Sequence, residues 1–324
     1  MKKVTVVIPN YNGIKFLQDC LLSLFRQEPG TPEYDVLVVD NGSKDGSLEL
    51  LQSFPQVEVV ALSKNTGFCH AVNVGIRRAK TPYVILLNND TKVMPGFVAG
   101  LYRAIERNPQ AFSVSAKMLM WDRPELLDDA GDLYCALGWA YARGKGQRAE
   151  LYSDNAEVFS ACGGASIYRR SVFDEIGLFD EAHFAYLEDL DIGWRARIHG
   201  YRNFYEPSAE VIHFGSGSTG SRYNAKKTLL SSANNIYVIG KNMTKIQLLL
   251  NFPLLLIGFA VKFLFFCKKG MGLFYLKGLA KGFQKLFSEK GKSRIIPFRK
   301  EHLGCYIAIQ GELYLNLIRI LKKS

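Results

Sequence analysis

At 324 residues, 48% hydrophobic and 22% charged, the chain suits one large globular domain with an appendage, or two domains. Its net charge of +11 is uneven: residues 241–324 carry 16 Lys/Arg against 3 Asp/Glu, while residues 1–240 carry 25 against 27. That pattern argues against a nucleic-acid-binding body and for an anionic membrane surface as partner. The cysteines (Cys20, Cys69, Cys135, Cys162, Cys267, Cys305) show no C-x-x-C spacing, which speaks against a disulfide framework or zinc site and for a cytosolic chain.

Met1-Lys2-Lys3 leads straight into Val4–Ile8, a β-branched strand closed by Pro9, and no leader is expected. Residues 14–27 place Ile14, Leu17, Leu21, Leu24 and Phe25 at helical spacing. Asp35 to Asp40 reads as a second strand, turned by Asn41-Gly42-Ser43. A helix follows to about Phe54, then a strand over 57–62 and a helix over 67–79. Tyr83 to Leu87 is an unbroken apolar run, the mark of a strand buried on both faces, and it ends in Asn88-Asn89-Asp90. Those three residues form either a simple turn or a ligand site, because open α/β sheets bind ligands at the carboxyl ends of their strands. Pro95 sits at the start of a helix running to Asn108.

This alternation predicts an α/β fold with a doubly wound, mostly parallel sheet covered on both faces. The pattern loosens over Trp121–Tyr152. Strand character returns over 158–168, a helix spans 186–199, two short strands cover 203–213, and Gly215–Gly220 is a glycine-serine loop. From about residue 242 the chain turns apolar. Residues 246–267 reach the roughly 20 residues of a spanning helix, although Pro253 and Lys262 argue against a clean crossing. Over 273–287, Leu273, Leu276, Ala280, Phe283 and Phe287 share one face while Lys277, Lys281 and Lys285 step along another. This is the pattern of an interfacial membrane helix or of a helix packed on the body, and the preceding apolar run favours the membrane. The expected division is a body, 1–240, and a basic amphipathic helical membrane-associating region, 241–324.

Singly, the polar residues at strand ends are ambiguous. Asp40 suits a nucleoside contact or a helix cap, and His213 a metal ligand or an ordinary strand residue. As an ordered set they are specific. Pro9-Asn10-Tyr11-Asn12, Asp40-Asn41-Gly42-Ser43, Asn65-Thr66-Gly67-Phe68 with Asn73, and Asn88-Asn89-Asp90 come first. Gly163-Gly164-Ala165, Phe179-Asp180-Glu181, Glu188-Asp189-Leu190-Asp191 with Trp194-Arg195, and His213 follow. Over about residues 3–220 the chain resembles the family-two inverting glycosyltransferases of the GT-A fold, most closely bacterial rhamnosyltransferase-like members.

The resemblance implies that Pro9, Asn10, Tyr11, Asn12, Asp40, Asn41, Ser43, Asn65, Gly67, Asn73, Asn88, Asn89 and Asp90 bind the nucleotide-sugar donor. It assigns Gly163, Gly164, Ala165, Glu188, Asp191, Trp194 and Arg195 to donor or acceptor contacts. Asp90 and His213 become the ligands of one Mg²⁺ or Mn²⁺, with Asn88 standing where the family's D-x-D motif has an acid. Asp189 becomes the general base. The implied donor is dTDP-rhamnose, with a UDP-hexose as the alternative. The implied acceptor is a lipid-linked saccharide for cell-surface polysaccharide, met at the cytoplasmic face of the plasma membrane by a peripheral enzyme. A homodimer is compatible with the sequence. Competing classes are a non-catalytic sugar-nucleotide-binding protein, a nucleotidyltransferase and a membrane scaffold. The first would lack Asp90 or Asp189; the second would carry a basic glycine-rich loop after the first strand, where Asn10–Gly13 holds no basic residue.

Overall fold

The computed structural model describes residues 2–215 and 224–322. Val4–Asn10 (β1) enters the core at once, with Val4, Val6, Val7 and Ile8 fully buried. Ile14–Leu24 (α1), Tyr34–Asp40 (β2), Ser47–Leu51 (α2), Val57–Ala61 (β3), Phe68–Arg78 (α3) and Tyr83–Leu87 (β4) follow in strand–helix alternation. β3, β2, β1 and β4 pair in parallel in that spatial order. All five residues of β4 are buried, as an apolar run covered by helices on both sides requires.

Thr91–Val93 (β5), Phe97–Arg107 (α4), Ala111–Met120 (β6), Leu127–Asp129 (β7), Asp132–Cys135 (β8), Trp139–Ala142 (β9) and Ala156–Val158 (β10) come next. Ala165–Arg169 (β11), Val172–Ile176 (α5), Glu188–Ile198 (α6) and Arg202–His213 (β12) complete the body. The sheet continues from β4 through antiparallel β11 to β6, and β12 runs parallel to β6. The sheet is therefore parallel in its first half and mixed beyond. Apolar residues of α1, α2 and α4 fill one face and those of α3, α5 and α6 the other. The expected pair of strands over 203–213 is one strand, bulged between Glu206 and Glu210. The helix expected over 43–54 shortens to α2, because Gly46 takes φ +84° and Asp45 accepts from the Ser47 amide at 3.1 Å. Residues 216–220 of the expected glycine-serine loop lie outside the described residues.

Ala225–Asn242 (α7), Lys245–Lys268 (α8), Gly272–Phe287 (α9), Glu289–Lys292 (α10) and Leu303–Leu321 (α11) form the C-terminal part. The boundary expected between residues 240 and 241 falls inside α7, and the helices beyond it share the body's core. Trp194, Tyr134, Val238, Leu255, Ile309 and Leu313 pack in one cluster drawn from α6, β8, α7, α8 and α11. α9 lies close on α7 because Gly278 and Gly282 face it: a Cβ at Gly278 would stand 1.8 Å from Ser232 Oγ.

A buried charge network ties these parts together. Lys241 Nζ donates to Asp180 at 2.9 Å and to Asp191 at 2.8 Å. Asp191 also accepts from Arg195 Nε at 3.1 Å and Asn242 Nδ2 at 2.9 Å, and Asp180 from Tyr237 at 2.9 Å and from Arg294. Burial alone would raise the Asp191 carboxyl, but Lys241, Arg195 and its other partners together hold it far below the usual range. Asp180, His183 and Asp191 also converge closely enough to suggest a metal cluster, yet the Lys241 ammonium already bonds both carboxylates.

Lys241→Met leaves two carboxylates buried without their ammonium. The expected loss is about 3–5 kcal/mol, the range for breaking a buried ion pair, read from the denaturant midpoint. A loss below about 1 kcal/mol contradicts the network's role. Because the Asp191 carboxyl lies below its unfolded value, its contribution is complete above the unfolded value. It fades as pH falls through the depressed one, so acid should narrow the gap between variant and wild type.

Candidate functional site

The carboxyl ends of β1, β2 and β4 open into a cleft of about 530 Å³. Pro9, Asn10, Tyr11, Asn41, Asn65, Gly67, Asn88, Asn89 and Asp90 line it, together with Gly163, Gly164, Glu188, Asp189 and His213. The expected residues thus largely converge, although some stand one layer back. Asp40 is fully buried, accepting from Asn10 Nδ2 at 2.8 Å and the Ser43 amide at 2.9 Å. It fixes the β1 and β2 ends relative to each other and does not line the cleft. Asn12 and Ser43 bond one another across the same junction, at 2.9 Å from the Asn12 amide to Ser43 Oγ. Asn73 is buried and binds the Phe179 backbone on both sides, at 3.0 and 2.8 Å. Ala165 is the first residue of β11, paired with Leu87.

Three expected contact residues turn away from the cleft. Asp191 is enclosed in the Lys241 network, and Trp194 is fully buried against Tyr134 and Phe159. Arg195 satisfies the carbonyls of Ile176, Gly177 and Leu178 beyond the end of α5. On a helix, Asp191 stands about 200° around from Asp189, so the two cannot serve one cleft.

The polar groups at the strand ends bond one another in pairs. Asn89 Nδ2 donates to Asn10 Oδ1 at 2.6 Å, and Asn41 Oδ1 accepts from both Thr66 groups at 2.9 Å. Asp90 Oδ1 and His213 Nε2 lie 3.4 Å apart. That is close to the spacing of neighbouring ligands around a cation held at about 2.1 Å, so this pair fits one Mg²⁺ or Mn²⁺. His213 Nδ1 meets Asp128 Oδ2 at 2.7 Å. Burial would lower the His213 imidazole, but Asp128 and Asp90 together raise it to about 9. Without a cation, then, the two carboxylates hold the ring as an imidazolium.

The acid pair opens α6. Burial, then the neighbouring Asp189, pushes Glu188 up to about 8, while its Oε2 finds no hydrogen-bond partner among the described residues. Burial raises Asp189 too, but the backbone amides of Leu190, at 2.7 Å, and Gly163, at 3.4 Å, favour its anion. Two backbone amides thus favour the charge on Asp189, while Glu188 is the member pushed up to about 8.

The loop before this pair is the site's strained part. Phe184, Tyr186 and Leu187 have φ of 63°, 72° and 65°, a region costing on the order of 1–3 kcal/mol per non-glycine residue. Asn234 Nδ2 of α7 holds it, lying 3.0, 2.9 and 2.8 Å from the carbonyls of His183, Ala185 and Tyr186. Lys285 of α9 donates to Asn234 Oδ1 at 2.7 Å and to the Ala182 carbonyl at 2.6 Å. The lysine expected on a lipid-facing stripe thus turns inward and braces the site. Across the cleft, Gly67 (φ +92°) packs on Phe184, where a Cβ would approach Phe184 Cδ2 to 2.6 Å. Sequence reasoning missed Asp128, Lys145, Phe184–Tyr186, Asn234 and Lys285. Asp128 lay in the stretch with no readable period, and the others act through contacts distant in sequence.

Comparison with known proteins agrees with this geometry. Residues 5–177 match the family model for glycosyl transferase family 2. The N-acetylglucosaminyl-diphospho-decaprenol L-rhamnosyltransferase of Mycobacterium tuberculosis is 32% identical over 224 residues, covering 61% of this chain and 71% of that protein. The poly-beta-1,6-N-acetyl-D-glucosamine synthase of Staphylococcus epidermidis is 23% identical over 64% of this chain and 48% of its own length. Among solved structures, GalNAc-T7 with UDP, GalNAc and Mn²⁺ superposes with a TM-score of 0.61 at 17% identity, covering 74% of this chain and 48% of that one. Residues 1–349 of S. aureus TarS with UDP-GlcNAc give 0.59 at 17% identity, covering 90% and 84%. At these identities the structures establish the shared GT-A fold.

Asn234→Ala removes the amide that holds three carbonyls of the strained loop. Amide exchange at residues 184–188 should quicken by about tenfold or more, the equivalent of at least about 1.4 kcal/mol of local stability, while the strands β1 to β4 keep their protection. Unchanged exchange at 184–188 contradicts the bracing role.

Proposed function

The chain belongs to glycosyl transferase family 2, and from that premise we propose that it transfers a sugar from a nucleoside-diphosphate sugar to a lipid-linked glycan acceptor, with inversion at the anomeric carbon. The observation that carries this reading is the cleft itself, which brings together the Asp90–His213 pair and the Asp189 carboxylate.

The nucleotide lies over the Asn10–Asn41–Asn65 side, where side-chain amides and backbone ends are available to base, ribose and phosphates. Asp90 and His213 would hold a divalent cation, which when bound would offset the charge that builds on the leaving diphosphate. The acceptor hydroxyl attacks the anomeric carbon, Asp189 takes its proton, and the bond to the diphosphate oxygen breaks. Glu188 keeps its proton at neutral pH, so it is a poor nucleophile and a good donor to a sugar hydroxyl. That favours one direct displacement, hence inversion. dTDP-rhamnose is the first choice of donor, because the M. tuberculosis relative is named an L-rhamnosyltransferase. A UDP-hexose is the second, on the likeness to proteins named for UDP-GlcNAc and poly-N-acetylglucosamine.

The acceptor's lipid suits the outer surface of the C-terminal helices, and the enzyme sits peripherally on the cytoplasmic face of the plasma membrane. Ile246, Leu249, Phe252, Leu256 and Leu264 of α8 are exposed, as are Leu273, Leu276, Phe283 and Phe287 of α9. Lys277 and Lys281 stand exposed beside them, each worth about 1 kcal/mol near anionic lipid. α8 is long and apolar enough to cross a membrane. Its other face, however, is fastened to the body: Gly258 meets the Leu137 carbonyl, Trp139 Nε1 donates to the Gly258 carbonyl at 3.0 Å, and Asn251 pairs with Gln310 at 2.9 Å. A helix fastened along one side and apolar on the other is suited to lie in the interface.

A donor screen that reads nucleoside-diphosphate release tests the activity. Turnover is expected with one of the two donor classes, and is expected to vanish in excess chelator and in Asp90→Ala. Turnover that survives both overturns the metal role. Asp189→Asn should lower turnover by about 100-fold or more while donor binding survives. Since the base acts ionised and its carboxyl is raised, wild-type rate should fall as pH drops through that raised value. Near-wild-type turnover in Asp189→Asn moves the base elsewhere.

For the membrane, the full chain should float with anionic vesicles, and high salt should release only part of it, because salt does not screen the apolar contribution. Leu249→Glu with Leu264→Glu should weaken that binding. A chain that ignores anionic vesicles rules out the peripheral reading.

A further inference from the structure

Asp128 belongs to no motif read from the sequence, yet it is the closest polar partner of His213. β7 pairs with the carboxyl end of β6 on one edge, with Met118 opposite Asp129, and β12 pairs with it on the other, with Met120 opposite His213. Asp128 and His213 therefore flank the same strand end, and their side chains meet over it at 2.7 Å from Oδ2 to Nδ1. Both are largely buried, at 14% and 16% side-chain exposure. The second oxygen of Asp128 accepts from Lys145, which stands between two left-handed glycines, Gly144 and Gly146.

The His213 backbone is already fixed. Its carbonyl accepts from the Trp121 amide at 3.1 Å, and the next residue, Phe214, donates its amide to the Asp90 carbonyl at 3.0 Å. Phe214 also stacks on Trp121 with ring centroids 3.9 Å apart. What the backbone leaves open is the rotation of the imidazole and which nitrogen carries its proton. A carboxylate at Nδ1 settles both: it keeps a proton on Nδ1, so Nε2, beside Asp90, is the nitrogen that would give up its proton and offer its lone pair to a cation.

We propose that Asp128 is the positioning residue of the cation site, setting the orientation and tautomer of His213 so that Nε2 is presented beside Asp90. The inference rests on the reading of Asp90 and His213 as the cation pair. Asp128 acts only through His213, so its effect disappears when the imidazole is absent.

The test is Mn²⁺ titration of the full-length protein, followed by the electron paramagnetic resonance of free Mn²⁺, with and without UDP. Asp128→Ala should weaken Mn²⁺ binding about 10–100-fold, the usual effect of removing a partner behind a ligating histidine. Asp128→Asn, whose amide oxygen can still accept from Nδ1, should fall between it and wild type. Asp128→Ala combined with His213→Ala should bind no more weakly than His213→Ala alone. The histidine ring signals in nitrogen NMR should show the Nδ1-protonated form in Mg²⁺-loaded wild type and a mixture in Asp128→Ala. Unchanged Mn²⁺ affinity in Asp128→Ala, or losses that multiply in the double variant, overturns the positioning role while leaving the cation pair intact. Mn²⁺ affinity equal in wild type and Asp90→Ala overturns the cation pair, and the positioning role with it.

Discussion

The structure depends on how one side-chain amide holds one strained loop. Asn234 Nδ2 lies within hydrogen-bond distance of three carbonyls of the 183–186 segment, those of His183, Ala185 and Tyr186. Three positive-φ residues would otherwise relax, and α6 would start from a different point. Glu188 and Asp189 open α6, so their place in the cleft is inherited from that loop. The brace is itself braced: Lys285 fixes the Asn234 oxygen, and the Lys241 network fixes α7 against α6. Four charged groups and several amides are buried to do this. Asp180 and Asp191 each accept from several donors, so neither carboxylate is left buried without a partner.

One consequence concerns the division of the chain. Composition separates a neutral body from a basic tail, and that separation is real as charge. It does not carry over to packing. α9 turns Leu273, Phe283 and Phe287 outward while Lys285 reaches inward to the strained loop. The surface proposed to meet lipid and the residue that braces the site are thus two sides of one helix. In that arrangement the membrane contact and the acid pair are held at a fixed relation, which suits an acceptor that arrives in the plane of a bilayer.

Much of the nucleotide half was legible because its signals are local. The run Tyr83–Leu87 is apolar without a break and became the central strand β4, and Asn88-Asn89-Asp90 stands at its carboxyl end in the cleft. The ordered polar residues at the other strand ends arrived at the same cleft for the same reason, since parallel strands deliver their carboxyl ends to one edge. The α6 acids were legible as a cluster but not as individuals. Glu188 and Asp189 face the cleft, whereas Asp191, Trp194 and Arg195 face α7, the aromatic core and the end of α5. Sequence spacing gives relative angles on a helix but not which angle meets the ligand. Asp128 and Asn234 were not legible, because each matters through a partner 85 or 49 residues away, and neither has a period or motif to mark it.

The most direct test of this account is donor turnover by a chain that ends at Asn242, measured with a small soluble acceptor so that lipid access plays no part. That chain keeps every residue lining the cleft and loses Lys285, Arg294 and the helices that cover α7. If the C-terminal helices hold the strained loop in place, turnover should collapse even though no cleft residue is missing. A shortened chain that stays folded and turns over donor at the full-length rate would contradict the account and make the C-terminal helices an anchor alone.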